Sequence, residues 1–211
     1  MSLNRRQLLL RASAGLVAAG TVLPALPAFA QSVDAAKLLE PGVLPDKVLG
    51  DENAPVAVVE YASMTCGHCA NFHKEGYRHL KSEYIETGKV RFVFREFPLD
   101  PVAAAAFMLA RCAPEEKYFD VVDLMFEEQR SWAFTQNPYE SLLKFARQIG
   151  FTQESFETCL KDQALLDGIY AARDRGKEFG VNSTPTFFFN GEMERGALSV
   201  AQLDAAIADH L

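Results

Sequence analysis

Apolar positions fall into a few dense short runs and, elsewhere, recur at helical spacing. Val56-Ala57-Val58-Val59-Glu60-Tyr61 is rich in β-branched residues and short enough to be one buried strand. From Ala70 to Glu86 the apolar positions Phe72, Tyr77, Leu80, Tyr84 and Ile85 lie close to helical spacing, and Gly88-Lys89 ends that run. Residues 90–97 alternate as a second strand should, until Pro98 and Pro101 stop it. The character then changes to helix over 102–112, 115–130, 139–149, 153–160 and 163–179, with breaks at Pro114, Asn137-Pro138 and Gly150. Thr186-Phe187-Phe188-Phe189 reads as a buried strand. Asn190-Gly191 signals a hairpin, with residues 192–195 returning. An amphipathic helix over 199–210, capped by Ser199, closes the chain. Before the first strand, residues 32–40 predict one short helix, and Pro41 to Pro55 a loop.

The order is βαβ, a helical block, then ββα. It predicts an α/β domain from residues 51–98 and 180–211, preceded by a leader (31–50) and interrupted by an all-helical subdomain (99–179). Phe107, Phe119, Phe126, Trp132, Phe134 and Phe145 are expected as that subdomain's core, not as a cofactor site. No cofactor is expected.

The candidate chemistry sits at Cys66-Gly67-His68-Cys69, between the first strand and its helix. C-x-x-C on such a strand–turn–helix reads as a thioredoxin-like redox motif. A thiolate is the nucleophile of disulfide exchange, and a helix N-terminus carries about half a positive charge that stabilises it. Cys66, standing first, is the candidate nucleophile; Cys69, one turn in and shielded, would resolve the mixed disulfide. Gly67 permits close approach, and His68 can stabilise the thiolate by charge or hydrogen bond. Rival readings are weaker. Cys66, Cys69 and His73 have metal-ligand spacing, but the fourth ligand is missing locally, so no metal is expected. Ala70 follows Cys69 where haem attachment needs histidine. A purely structural bridge would close a loop too short to remove much unfolded-state entropy.

Residues 1–30 look like a cleaved export signal. Arg5-Arg6 precedes a leucine run, a small-residue apolar stretch spans Ala12 to Leu23, and Ala28-Phe29-Ala30 has the form of a signal-peptidase site. The paired arginines resemble a twin-arginine signal, and the general secretory route is open too. The stretch is too short to cross about 30 Å of hydrocarbon. The expectation is an exported chain beginning near Gln31. Losing Arg5, Arg6 and Arg11 takes the formal charge from −7 to about −10, which argues against nucleic acid or an anionic membrane as partner. An oxidising compartment also suits four cysteines, all beyond residue 30. Cys112 and Cys159 are open to two readings, buried free thiols or a bridge; export and the even count favour the bridge. It would close a loop of about 48 residues, a contribution of about 4 kcal/mol in the chain-entropy model.

Across nearly the whole exported part, the chain resembles the DsbA-type branch of the thioredoxin superfamily, the bacterial envelope thiol–disulfide oxidoreductases. The resemblance rests on Leu49-Gly50-Asp51, Ala54-Pro55-Val56, Glu60-Tyr61, Cys66-Gly67-His68-Cys69, Thr184-Pro185-Thr186-Phe187-Phe188, Asn190-Gly191 and Gly196-Ala197, in the family's order. It implies a thioredoxin-like fold with an inserted helical subdomain, and a periplasmic location. Substrates would be reduced or misfolded exported proteins, with reoxidation by a membrane partner of the DsbB type. It places an acid at Glu60, six residues before the first cysteine, where a buried carboxyl would exchange a proton near Cys69. It makes Thr184-Pro185 a cis bond beside the dithiol, exposing the Thr184 backbone to an extended substrate segment. The second cysteine pair departs from the simplest family pattern but occurs in some of its branches. An isomerase or reductase kept in the dithiol state is the alternative within this chemistry, and a thiol metal-binding or holdase protein the alternative outside it. Arg95 and Glu96 receive no role. His73 and His79 are expected as solvated helix positions.

Overall fold

The computed structural model describes residues 32–211; the export-signal reading of residues 1–30 lies outside them. Five strands form one mixed sheet in the order β1-β3-β2-β4-β5: β1 (Lys47–Leu49), β2 (Val56–Ala62), β3 (Val90–Glu96), β4 (Thr186–Phe189) and β5 (Glu192–Arg195). β2 and β3 are parallel, joined by the helical run that starts at Gly67; β4 is antiparallel to β2, and β5 to β4. The β4–β5 turn is made by Asn190 (φ 46°) and Gly191 (φ 96°), the conformation an Asn-Gly hairpin requires.

Alternation along the strands sorts the sheet's two faces. Val56, Val58, Phe92, Phe94, Phe187 and Phe189 belong to one buried cluster, while Val59, Tyr61, Val93 and Phe188 belong to the other. The first cluster also contains Phe107, Trp132, Phe145 and Phe156 from the helical block, so block and sheet share one core. The architecture is a thioredoxin-like sheet with an inserted helical subdomain. Among the described residues no helix is long and apolar enough to cross a membrane.

Four local expectations need correction. Lys47–Leu49, read as loop, forms edge strand β1, pairing antiparallel with Phe92 to Phe94. Three residues between Pro45 and Gly50 carry too little alternation to signal a strand; the pairing itself supplies it. The leader is likewise not separate, since its helix Ala35–Leu39 buries Leu38 in the second cluster and Ser32 bridges to Glu192. The helix expected over 115–130 is broken into Tyr118–Glu127 and Gln129–Trp132 by Glu128 (φ −95°, ψ 12°), with no proline or glycine to announce it. The buried indole of Trp132 donates to the Met125 carbonyl (2.9 Å) and so satisfies the broken end. Phe134, placed in the subdomain core by type, is 62% exposed beyond that second helix.

Helix Gln163–Glu178 returns to the sheet through a glycine. A Cβ on Gly176 would stand 2.8 Å from the Tyr61 ring, whose hydroxyl accepts from Arg95. Gly176→Ala is therefore expected to cost about 1–3 kcal/mol by overpacking. Denaturant unfolding that matches the parent protein would refute this close approach.

Candidate active site

The site is assembled where β2 ends and the active-site helix begins. Cys66 is the N-cap of helix Gly67–Phe72, and its Sγ accepts from the Cys69 backbone N–H at 3.4 Å. The two thiols are free and buried. Residue 185 approaches through the cis Thr184-Pro185 bond, and the Thr184 carbonyl accepts from the Cys66 thiol at 3.2 Å. Thr184 Oγ1 is buried and has no other partner, so it is free to donate once the sulfur is ionised.

These contacts divide the two sulfurs. A hydrogen bond from the Cys69 thiol is the largest influence on Cys66. With Thr184 and the backbone N–H groups of Cys69 and His68, it outweighs burial and brings Cys66 down to about 5. Cys69 is pushed far above the ordinary thiol range, first by burial, then by its hydrogen bond to Cys66 and by the charge of Glu60. The arrangement favours the thiolate at Cys66 and the protonated thiol at Cys69. His68 is exposed at the rim, and its backbone N–H contributes to the Cys66 sulfur.

Glu60 is fully buried in β2, opposite Phe94 and Phe187. By strand parity it shares the face of Val58 and Ala62, the face covered by Cys66 and Cys69. His73 Nε2 lies 3.2 Å from Glu60 Oε2, and His73 Nδ1 lies 3.3 Å from Asp123 Oδ1. The expectation of a solvated His73 is thus wrong: it is 4% exposed, one turn past Cys69 on the buried side of the helix. His79 is not freely solvated either, its Nε2 lying 2.7 Å from Asp204 Oδ1. His73 is the third residue of the metal reading, and both its nitrogens are engaged by carboxylates; among the described residues no group of three ligand-type side chains is placed to hold a metal.

Gln129 gave no sequence signal at all. Buried at the helix break, its Nε2 donates to the carbonyls of Met64 (2.8 Å) and Cys66 (3.0 Å), fixing the loop that carries Cys66. Arg95 and Glu96 belong to structural pairs: Arg95 with Asp46 and Tyr61, Glu96 with Arg111 and Tyr118. Cys112 and Cys159 are bridged, Cα atoms 6.1 Å apart, and join helices Pro101–Cys112 and Gln153–Leu160.

Residues 43–209 match the family model described as thioredoxin. The crystal structure of Wolbachia pipientis alpha-DsbA1 is 32% identical, with a TM-score of 0.75 over 84% of this chain and 96% of that one. A protein-disulfide isomerase structure from Novosphingobium aromaticivorans, 23% identical with a TM-score of 0.69, covers 78% of this chain and 96% of that one and shares the fold. A Rickettsia bellii (strain RML369-C) chain named as a protein-disulfide oxidoreductase is 34% identical over 167 residues, 77% of this chain and 63% of that one. The chain spans 54–63% of the length of the Rickettsia relatives it matches. With an N-capping cysteine, its buried partner and a cis-proline in one place, the chain belongs to the thioredoxin family, in its branch of DsbA-type thiol–disulfide oxidoreductases.

Proposed function

We propose that the chain is an exported, periplasmic oxidase that passes its Cys66–Cys69 disulfide to reduced proteins as they fold. A membrane partner of the DsbB type then reoxidises it. The observation that carries this reading is the geometry that divides the sulfurs: Cys66 caps the helix, takes the Cys69 N–H and faces Thr184, which brings it down to about 5, while Cys69 is fully buried behind it and pushed far above the ordinary range. A stabilised Cys66 thiolate favours the reduced product, so the disulfide is the better oxidant. Against a free thiol near 8.5, that stabilisation is about 3 kcal/mol at pH 7, on the order of 60 mV. Cys66 would be the nucleophile and Cys69 the resolving thiol; Glu60 would exchange the proton, and Thr184-Pro185 would receive the substrate backbone. The leader argues against the isomerase reading, because Leu38 is packed into the chain's own core and is not free to pair two copies. The residues that support export are Arg5-Arg6 and Ala28-Phe29-Ala30.

The test sets oxidised protein against a reduced unfolded substrate and, separately, reduced protein against a scrambled one. Disulfide formation is expected to be the faster reaction and to need only catalytic amounts once an oxidising partner is supplied. More efficient rescue of the scrambled substrate would establish an isomerase instead.

A further inference from the structure

We propose that His73 and Asp123 form a proton relay between solvent and Glu60, through which the buried Cys69 sulfur gains and loses its proton during exchange. The proposal deepens the exchange reading above and rests on it. Its basis is a gradient of exposure along three touching side chains. The Asp123 side chain is 39% exposed, that of His73 3% and that of Glu60 0%. Asp123 and His73 line a cleft of about 980 Å³ that also reaches Gly67 and His68, so the wet end of the chain opens beside the dithiol. At the dry end, Glu60 Oε1 is buried with no hydrogen-bond partner. An unpartnered buried carboxylate oxygen is a costly feature without a purpose, and here it is the free terminus of the relay.

Imidazole suits the middle position because it accepts a proton at one ring nitrogen while giving one up at the other. Among the described residues it has no other ionic partner. β2 presents Glu60, and helix Tyr118–Glu127 presents Asp123 with the Phe126 ring. β3 presents the Phe94 ring, and its own helix the Tyr77 and Phe72 rings. Lys74 and Arg78 share the cleft with it, and Cys69 lies one turn back. The two carboxylates hold the imidazole charged up to about 9 despite its burial. The negative charge of Glu60 is felt at Cys69.

In the forward step a substrate thiolate attacks Cys66 Sγ and forms the mixed disulfide. The Cys66–Cys69 bond breaks and its electron pair goes to Cys69 Sγ. Glu60 takes a proton from His73 Nε2 and passes it to that sulfur, returning to the carboxylate; the neutral ring then makes a half-turn and takes a replacement proton from solvent at the nitrogen that faces Asp123. A second substrate thiolate then displaces Cys66, which leaves as a thiolate. Two electrons pass from the substrate dithiol to the protein. Reoxidation by a partner disulfide runs the protons outward again.

Rapid-mixing reduction of the oxidised chain by a small dithiol, from pH 5.5 to 8.5 in light and heavy water, tests this. His73→Gln and Asp123→Asn are each expected to slow reduction at least fivefold at pH 7, to flatten its rise with pH and to enlarge the solvent isotope effect. The ionisation of Cys66, read from thiolate absorbance, stays in place, and Asp123→Glu restores the rate. Parent-like rates, pH profiles and isotope effects in both variants would overturn the relay. So would lost stability with an unchanged profile. If His73→Gln does not fold, Asp123→Asn, at a partly exposed position, decides alone. Failure of the exchange reading looks different: the parent chain itself would not exchange.

Discussion

Cys66→Ala is expected to reduce disulfide transfer to a protein substrate by at least about a thousandfold, to the level of the uncatalysed reaction. Cys69→Ala should instead accumulate a mixed disulfide at Cys66, because the sulfur that would release a trapped partner is gone. Normal exchange by the Cys66 variant would end the assignment. The same sulfur sets a pH dependence. With Cys66 at about 5 in the fold and an ordinary thiol in the unfolded chain, the native state binds fewer protons between those values. The reduced protein therefore gains stability as pH rises from about 5 towards 9 and loses it as pH falls through 5, with about 3 kcal/mol present at pH 7. Cys69 opposes this only above the ordinary thiol range, where the unfolded chain would ionise it and the fold does not. The oxidised protein has no thiol at either position. The gap between reduced and oxidised melting temperatures should widen in favour of the reduced form from pH 5 to 8. Parallel curves would contradict the assigned thiolate.

Removing the second bridge should have the largest effect on stability. Cys112 and Cys159 are 47 residues apart in sequence, and the closed loop contributes about 4 kcal/mol in the chain-entropy model. The double variant Cys112→Ala/Cys159→Ala is expected to melt about 8–16 °C lower. Exchange per folded molecule should be retained, since neither cysteine touches the Cys66–Thr184 contact. An unchanged melt would show that the bridge does not limit the unfolded ensemble.

What could be read from sequence was what local chemistry specifies. The runs around Val58, Phe92 and Phe188 gave strands because alternation is a local property, and Asn190-Gly191 gave the hairpin because its backbone needs are local. Cys66 to Cys69 could be placed because a cap position follows from the strand and helix beside it. The misses at the site are partnerships made at a distance. His73 looked solvated because nothing near it in sequence reveals Glu60 or Asp123. The spacing of four from Cys69 put both on one helix face and was the available clue. The active-site helix also widens into π-type turns over His73–Tyr77, which no propensity marks. Gln129 is a polar residue in a polar stretch; only the unannounced break at Glu128 turns it towards Met64 and Cys66.

The position of β2 between β3 and β4 governs how the molecule is made. Its β3 edge is filled by the next strand along the chain, after one helix. Its β4 edge waits for Phe187 to Phe189, and the contact that closes it, from Asn190 to Ala57, spans 133 residues. Closing so long a segment is entropically slow, and non-local pairing of this kind delays folding. Until the last strands arrive, a chain emerging from synthesis carries an open, apolar strand edge at Val58 and Val59, of the type that recruits other chains. It also carries a dithiol that lacks Thr184 as its wall. Chains shortened before residue 184 should therefore aggregate with both thiols reactive, and competence should appear only in the final moments of folding.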